Sequence, residues 1–177
     1  METSMPLSNV YSMLIRFPER FIRPFQDLLL LGLRFCVGWQ FLNAGLLKLG
    51  SWQNTLFLFQ YEYKVPLLPP YPAAVLGTFG EIAFPVLLFV GLFGRLSALG
   101  LQAVNVMAVV AYAHVIFNPE FGTGAAADHY FWGLMLVVIL VFGPGKYSAD
   151  GWLARRRHAG SGSTDTSALE FAGRLQS

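Results

Sequence analysis

The segment Leu96–Phe117, LSALGLQAVNVMAVVAYAHVIF, contains no Asp, Glu, Lys or Arg. At about 1.5 Å per residue, a helix over this segment is about 33 Å long, which matches the hydrocarbon thickness of a bilayer, about 30 Å. A helix in a soluble bundle needs a polar face, and this segment offers almost none. The segment therefore predicts a transmembrane helix and argues against a soluble four-helix bundle.

The rest of the chain agrees with a membrane protein. Of its 177 residues, 55% are hydrophobic and 12% are charged, whereas a soluble domain carries about 25% charged residues. Apolar runs predict four spans, at Leu28–Leu49, Pro72–Phe93, Leu96–Phe117 and Ala126–Gly143. We therefore expect an all-α membrane protein with a four-transmembrane-helix bundle, residues 28–152, whose main partner is the lipid bilayer.

Charge and cysteine usage exclude several function classes. The net charge is only +2, and the basic residues form no stripe with aromatic residues between them, so no nucleic-acid partner is expected. Cys36 is the only cysteine, which excludes an intrachain disulfide and a thiolate zinc site within one chain.

The distribution of Lys and Arg predicts the orientation of the bundle, because cytoplasmic loops are enriched in these residues. The predicted outer side has Lys48 and Lys64, and the other side has Arg16, Arg20, Arg23, Arg95, Lys146, Arg155, Arg156 and Arg157. Both termini should therefore be cytoplasmic: an N-terminal segment at residues 1–27 and a flexible tail at residues 153–177. In the first outer loop, SWQNTLFLFQYEYKV predicts a short interfacial helix.

Polar residues within the spans are the candidate site residues. Each charge at bilayer depth costs about 2.5–3.5 kcal/mol, so such groups face the bundle interior and find partners. Helix rise predicts two groups, a central one that serves as a ligand or proton site and one near the outer face. The central group is Arg34, Glu81, Gln102 and Asn105, and the outer group is Lys48, His114, Asp128 and His129.

Glu81 is predicted to pair with Arg34. Lys48 is the poorer partner, because helix rise places it about 12 Å farther out than Glu81. The pair either acts on a ligand or only holds two helices in register. Lys48 can instead snorkel to the headgroups, and His114 can simply bond a neighbouring helix. Asp128 suits an N-cap of the fourth helix, and the histidine spacing predicts no metal site.

Three motifs resemble the DoxX family of small bacterial membrane proteins. The first is LRFCVGWQFLNAGLLKLGSW in span one, and the second is GEIAFPVLLFVGLFGRLSAL from span two onward. The third, FGPGKYSADGWL, is similar to the family's closing GPG-x-x-S-x-D pattern. The resemblance extends from Leu28 to Trp152 and implies a multi-pass protein of the bacterial inner membrane.

The resemblance also carries functional expectations. The family is similar to DoxD, a subunit of a thiosulfate:quinone oxidoreductase, and other members are associated with redox-stress systems, including a complex with a superoxide dismutase and a sulfurtransferase. We therefore expect a redox- or stress-associated membrane subunit that interacts with quinone, the candidate cofactor, and with protein partners or further copies of itself. The alternatives are a non-catalytic anchor or scaffold and, with less support, a small transporter.

Whether the chain is itself an enzyme stays open. The sequence has no pair of histidines at one mid-membrane depth for a haem, no nucleotide-binding fingerprint and no cysteine pair. Electron transfer would thus need a bound quinone or a partner subunit.

Overall fold

The computed structural model describes residues 7–118, 120 and 124–157, with side-chain surroundings from residue 22 onward. Its helices are α1 (Leu7–Gly50), α2 (Trp52–Tyr61), α3 (Pro70–Val90), α4 (Gly94–Ala111), α5 (Ala113–Ile116) and α6 (Gly124–Phe142). A seventh helix, α7, is described over residues 149–157. This described part contains no β-strand, so the all-α prediction is confirmed.

Three helices are long and apolar enough to cross a membrane: Ile22–Gly50 within α1, all of α3 and all of α4. The apolar part of α6, Ala126–Phe142, is shorter. Large apolar side chains cover the outside of the bundle, among them Leu29, Phe79, Leu99 and Leu134. Such a surface suits lipid contact, and the protein is therefore a helical membrane protein with three candidate spans and a shorter fourth apolar helix.

The four long helices surround one apolar core. The most extensive packing is between α1 and α3, followed by that between α4 and α6. α3 also packs on α4, and α6 contacts α1. Each of the four contributes to the core, which contains Val37, Phe41, Leu88, Leu101, Leu136 and Ile139. A smaller cluster of Phe59, Ala73 and Ala74 joins α2 to α3. The predicted helix of the first loop therefore exists and packs against the bundle.

Glycines set the close approach of α1 to α3. A Cβ added at Gly38 would lie 2.6 Å from Phe89, and one at Gly45 would lie 2.7 Å from Ile82. The helices run antiparallel, and this packing brings Gly45 beside Glu81. At the other end of the interface, Arg34 contacts Gly91, where the left-handed backbone (φ 69°) ends α3.

Two helix boundaries differ from the prediction. α1 begins at Leu7 and thus includes much of the predicted N-terminal segment, while residues 1–6 and 158–177, and so most of the predicted tail, lie outside the described residues. The predicted span Leu96–Phe117 is divided at Tyr112, whose backbone leaves the helical region (φ −117°, ψ 18°). There the backbone N–H of Lys64 donates to the carbonyl of Ala111 at 2.8 Å.

The closing motif fastens the helix ends together. Both carboxylate oxygens of Asp150 accept backbone N–H groups at the start of α4, from Phe93 at 3.0 Å and from Gly94 at 2.7 Å. The Asp150 backbone N–H donates to the Gly91 carbonyl at 3.1 Å. Arg34 reaches the same segment from α1 and donates to the Tyr147 carbonyl at 2.5 Å. The motif thus satisfies two backbone donors at the start of α4 and links this helix end to α1 and α3.

Candidate functional site

A cavity of about 620 Å³ lies near the C-terminal end of α1, among α1, α3, α4 and the first turns of α6. Its wall is mostly apolar and includes the aromatic rings of Phe41, Phe59, Phe84 and Trp132. Six polar side chains interrupt this wall: Gln40, Lys48, Tyr63, Glu81, Tyr112 and His129. A mostly apolar pocket with a few convergent polar groups is the usual form of a small-molecule site.

An ion pair between α1 and α3 is the centre of the polar wall. The Lys48 Nζ lies 2.6 Å from Glu81 Oε1 and 2.5 Å from Oε2, so it donates to both carboxylate oxygens. The two side chains are only 19% and 11% exposed. Since water contributes little here, the two charges depend on each other for compensation.

The predicted Arg34–Glu81 pair is therefore wrong, and Lys48 is the partner of Glu81. The reason is the register of the two helices. Arg34 lies level with Gly91, which is ten residues, or about 15 Å of helix rise, from Glu81. Gly45 lies beside Glu81, and Lys48 follows it by one turn, so its long side chain reaches the carboxylate.

The C-terminal end of α1, which carries Lys48, is fixed by a contact with α2. Thr55 on α2 donates its hydroxyl to the Lys48 carbonyl at 2.9 Å and lies 3.2 Å from the Ser51 carbonyl. Helix C-termini leave carbonyls without intrahelical partners, and this hydroxyl satisfies one of them. The contact holds α2 against α1 and so positions the lysine at the cavity wall.

His129 and Asn105 form a second polar pair, between α6 and α4. The Asn105 amide donates to the His129 carbonyl at 3.0 Å, and its Oδ1 lies 2.8 Å from His129 Nδ1. In this arrangement Nδ1 carries the proton and donates to Oδ1, so a neutral ring keeps Nε2 as an acceptor. The ring packs edge-on against Trp132, with centroids 4.9 Å apart.

Two tyrosines complete the polar wall. The rings of Tyr63 and Tyr112 meet edge to face at 5.2 Å, and Tyr63 also packs against Phe59 at 4.9 Å. Tyr63 lies between α2 and α3, outside the spans. Burial raises the pKa of its phenol, and the neighbouring Tyr112, Glu81 and Glu62 raise the pKa further. Tyr63 therefore stays protonated at neutral pH and keeps an O–H donor.

The exposed part of the cavity lining indicates the way in. Leu76 on α3 and Met107 on α4 line the cavity, and they are 56% and 41% exposed. Small residues, Gly77 and Gly100, line the cavity on the same two helices. We infer that the cavity opens between α3 and α4, on an apolar surface of the bundle.

The DoxX family model matches residues 29–114, from the body of α1 into α5. This match supports membership of the DoxX family. The matched segment carries both members of the Lys48–Glu81 pair, whereas His129 and the closing motif lie beyond it. Comparison with curated proteins and with solved structures gave no significant match.

The predicted central group does not assemble in this DoxX chain. Arg34 is fully buried at the far end of the bundle, and its Nε and Nη1 find no acceptor among the described residues. Asn105 is engaged with His129. Gln102 is half-buried near Gly133, and its Oε1 likewise has no partner within the described part. Only Glu81 of the four lines the cavity.

The predicted outer group of this DoxX protein is also divided. Lys48 and His129 line the cavity, whereas His114 lies exposed on α5 and packs edge-on against Tyr112 at 5.4 Å. Asp128 is exposed within α6, which begins at Gly124, so it is not the N-cap of that helix. The residues that the structure describes hold no cluster of three or more metal-ligating side chains.

Sequence reasoning included Tyr63 in the predicted interfacial segment and missed its place at the cavity. A signal was present in the dense aromatic run FLFQYEY, residues 57–63, just before the PLLPPYP turn. An interfacial helix and a cavity wall both favour aromatic residues, so the run alone could not distinguish them.

Proposed function

We propose that this DoxX protein is a redox-associated membrane subunit that binds the head group of a quinone in the cavity beside Lys48 and Glu81. One observation carries the proposal: a buried ion pair forms part of the wall of a mostly apolar cavity. The volume, about 620 Å³, lies within the range of about 300–1,000 Å³ that is typical of small-molecule sites.

The chemistry of the wall suits a quinone. A quinone has a flat ring, two carbonyl acceptors and an apolar tail, and it supplies two-electron, two-proton redox chemistry. Lys48 can donate to one carbonyl, and the protonated phenol of Tyr63 is a second donor at the same cavity. Phe41 and Trp132 offer aromatic surfaces for the ring, while the opening between α3 and α4 gives the tail a route to lipid.

The two ions have separate parts in this proposal. Lys48 orients the head group, and Glu81 keeps Lys48 charged and in place through both of its oxygens. His129 Nε2 provides an acceptor for a hydroxyl hydrogen at the same cavity. These groups bind and orient the head group, and the electrons come from a protein partner.

The setting of the protein forms part of the same proposal. Arg95, Lys146 and Arg155 lie together at the bundle end away from the cavity, which supports a cytoplasmic location for that end. We place the chain in the bacterial inner membrane with both termini inside, where a partner subunit or a second copy of the chain meets it.

Binding of a short-chain ubiquinone analogue to the purified protein tests the proposal. Isothermal titration calorimetry in detergent should detect binding by the native chain and at least tenfold weaker binding by Lys48→Gln. The matched control is Lys64→Gln, because Lys64 is exposed and does not line the cavity. No binding by the native chain, or equal binding by Lys48→Gln and the native chain, would contradict the proposal.

The same pair suits a non-catalytic anchor, because it joins α1 to α3 and would hold a scaffold together. The double variant Lys48→Leu/Glu81→Leu separates the two functions. It removes both charges at once and should keep the fold while quinone binding is lost. If the double variant binds the analogue as well as the native chain does, the ion pair is only a clamp.

A further inference from the structure

A second cavity, about 640 Å³ in volume, lies at the opposite end of the bundle from the Lys48–Glu81 pair. It is formed where α4 begins, where α6 ends and where the closing motif turns into α7. Its lining includes three basic residues, Arg95, Lys146 and Arg155, and three large apolar residues, Phe93, Leu96 and Phe142. We call it the basic pocket.

The cations of the basic pocket are held by the backbone and keep donors free. Arg95 Nη2 donates to the Val141 carbonyl at 3.2 Å, and Arg155 Nη1 donates to the Lys146 carbonyl at 3.1 Å. Each guanidinium has five N–H donors, so these single bonds fix the two groups without exhausting them. The side chain of Lys146 is 48% exposed.

The acids near the basic pocket are already engaged. Both oxygens of Asp150 accept backbone N–H groups of Phe93 and Gly94. Asp27 accepts the Lys146 backbone N–H at 2.9 Å and lies 3.5 Å from the Lys146 Nζ. Among the described residues, neither Arg95 nor Arg155 has a salt bridge to a carboxylate. Within the described part of the chain, the pocket therefore presents two guanidinium groups without a carboxylate partner.

The rim of the basic pocket is apolar. Phe93, Leu96 and Phe142 are 61%, 62% and 58% exposed. Phe93 and Leu96 lie at the start of α4, and Phe142 is the last residue of α6. A bilayer around these apolar helices would therefore place the three side chains where its hydrocarbon gives way to its headgroups. A ligand that uses the whole site therefore needs an anionic group and hydrocarbon chains.

We propose that the basic pocket binds an anionic phospholipid, with Arg95, Lys146 and Arg155 around its phosphate and Phe93, Leu96 and Phe142 against its acyl chains. One guanidinium group can bind two phosphate oxygens at once, through two parallel charge-assisted hydrogen bonds. Basic pockets between membrane helices are known to take anionic headgroups. The lipid would also join α4, α6 and α7 and so stabilise the junction that the closing motif makes.

Native mass spectrometry and thermal unfolding of the full-length protein test this site. In a neutral detergent, added phosphatidylglycerol should remain bound through gas-phase activation and raise the Tm, because a ligand of the native state stabilises it. Phosphatidylcholine and inorganic phosphate should do neither. Equal retention of both lipids would overturn the proposal, and so would an equal rise in Tm with inorganic phosphate.

A pair of variants assigns the lipid to the basic pocket. Arg95→Gln/Arg155→Gln should lower phosphatidylglycerol retention at least tenfold. Arg23→Gln should leave it unchanged, because Arg23 is exposed on α1 and does not line the pocket. Unchanged retention by the double variant would overturn the assignment. If the double variant does not fold, the comparison of phosphatidylglycerol with phosphatidylcholine on the native chain still tests the proposal.

Discussion

Lys48 acts as the partner of an acid on another helix because a lysine side chain spans about one helical turn. Its charge is carried from the end of α1 to Glu81 in α3, where neither group retains much contact with water. Removing one member of such a pair leaves an uncompensated charge, which costs more than removing both. The single and the double substitution should therefore differ in the size of the destabilisation.

We expect Lys48→Met to destabilise the protein by about 3 kcal/mol, at the lower end of the range for buried pairs because both groups keep some exposure. Lys48→Leu/Glu81→Leu should recover most of this loss. Thermal unfolding of the variants in one detergent measures both effects. A single variant as stable as the native chain would show that the pair contributes nothing to the fold.

The Asn105–His129 pair allows a second residue-scale prediction. Asn105→Leu leaves the His129 Nδ1–H and its carbonyl without their partners, and we expect a loss of about 1–3 kcal/mol. The control is Asn43→Leu, because Asn43 is exposed on α1. Thermal unfolding measures the loss, and the imidazole nitrogen shifts in NMR should show Nδ1–H only in the native chain.

At the residue scale, the sequence predicted which side chains carry polar chemistry better than which of them meet. Glu81, Lys48, Asn105 and His129 were all singled out. The predicted pairing was wrong because helix rise gives the depth of a residue only when the span boundaries are known. The predicted spans would place Glu81 opposite residue 40, whereas it lies beside Gly45, a difference of about 8 Å along the helix.

Between elements, the approach of α1 to α3 determines whether the ion pair can form. At Gly45 an added Cβ would meet Ile82 at 2.7 Å, and Glu81 at 3.0 Å through its Cβ and 3.2 Å through its backbone. Backbone atoms cannot move aside as a flexible side chain can. The glycine therefore determines the spacing of the two helices, as small residues do at membrane helix interfaces generally.

Gly45→Ala should push α3 away from α1 and destabilise the protein by about 1–3 kcal/mol, the usual cost of overpacking. Gly32→Ala is the matched control on the same helix, because an added Cβ there meets nothing within 4 Å. Alanine favours a helix over glycine, so this control should equal or exceed the native Tm. Equal behaviour of the two variants in thermal unfolding would contradict the spacing argument.

Helix positions were largely predictable from apolar runs, and helix interruptions were not. No glycine or proline lies at the break at Tyr112, so no residue type there predicts an interruption of the helix. It coincides with a backbone hydrogen bond from Lys64, which is distant in sequence. By contrast, α3 begins at Pro70 and is followed directly by Gly91, and both residue types mark helix boundaries through their own backbone preferences.

At the scale of the whole molecule, the closing motif holds the helix ends together on the side away from the cavity. Asp150→Ala removes two acceptors from the α4 N-terminus, and we expect a loss of about 1–2 kcal/mol, as for other N-terminal capping changes. Asp128→Ala is the control, because Asp128 is an exposed acid of α6. Thermal unfolding should separate the two variants, and a stable Asp150→Ala protein would argue against a fastening role.

The orientation in the membrane is open to a direct test. In a Cys36→Ala background, an impermeant thiol reagent should label Lys64→Cys in intact cells, because that position belongs to the predicted outer loop. Arg157→Cys, at the far end of the described chain, should be labelled only after the membrane is permeabilised. The reverse pattern would place both termini outside.

The opening between α3 and α4 also determines the concentration scale on which ligand binding should be expressed. A mouth that faces acyl chains receives its ligand by lateral diffusion in two dimensions, from a solution whose solvent is lipid. The relevant quantity is the mole fraction of ligand in the bilayer. Each added CH₂ raises partitioning into that phase by about 0.8 kcal/mol. Longer tails should therefore bind ever more tightly on an aqueous concentration scale, yet share one dissociation constant when expressed per lipid molecule.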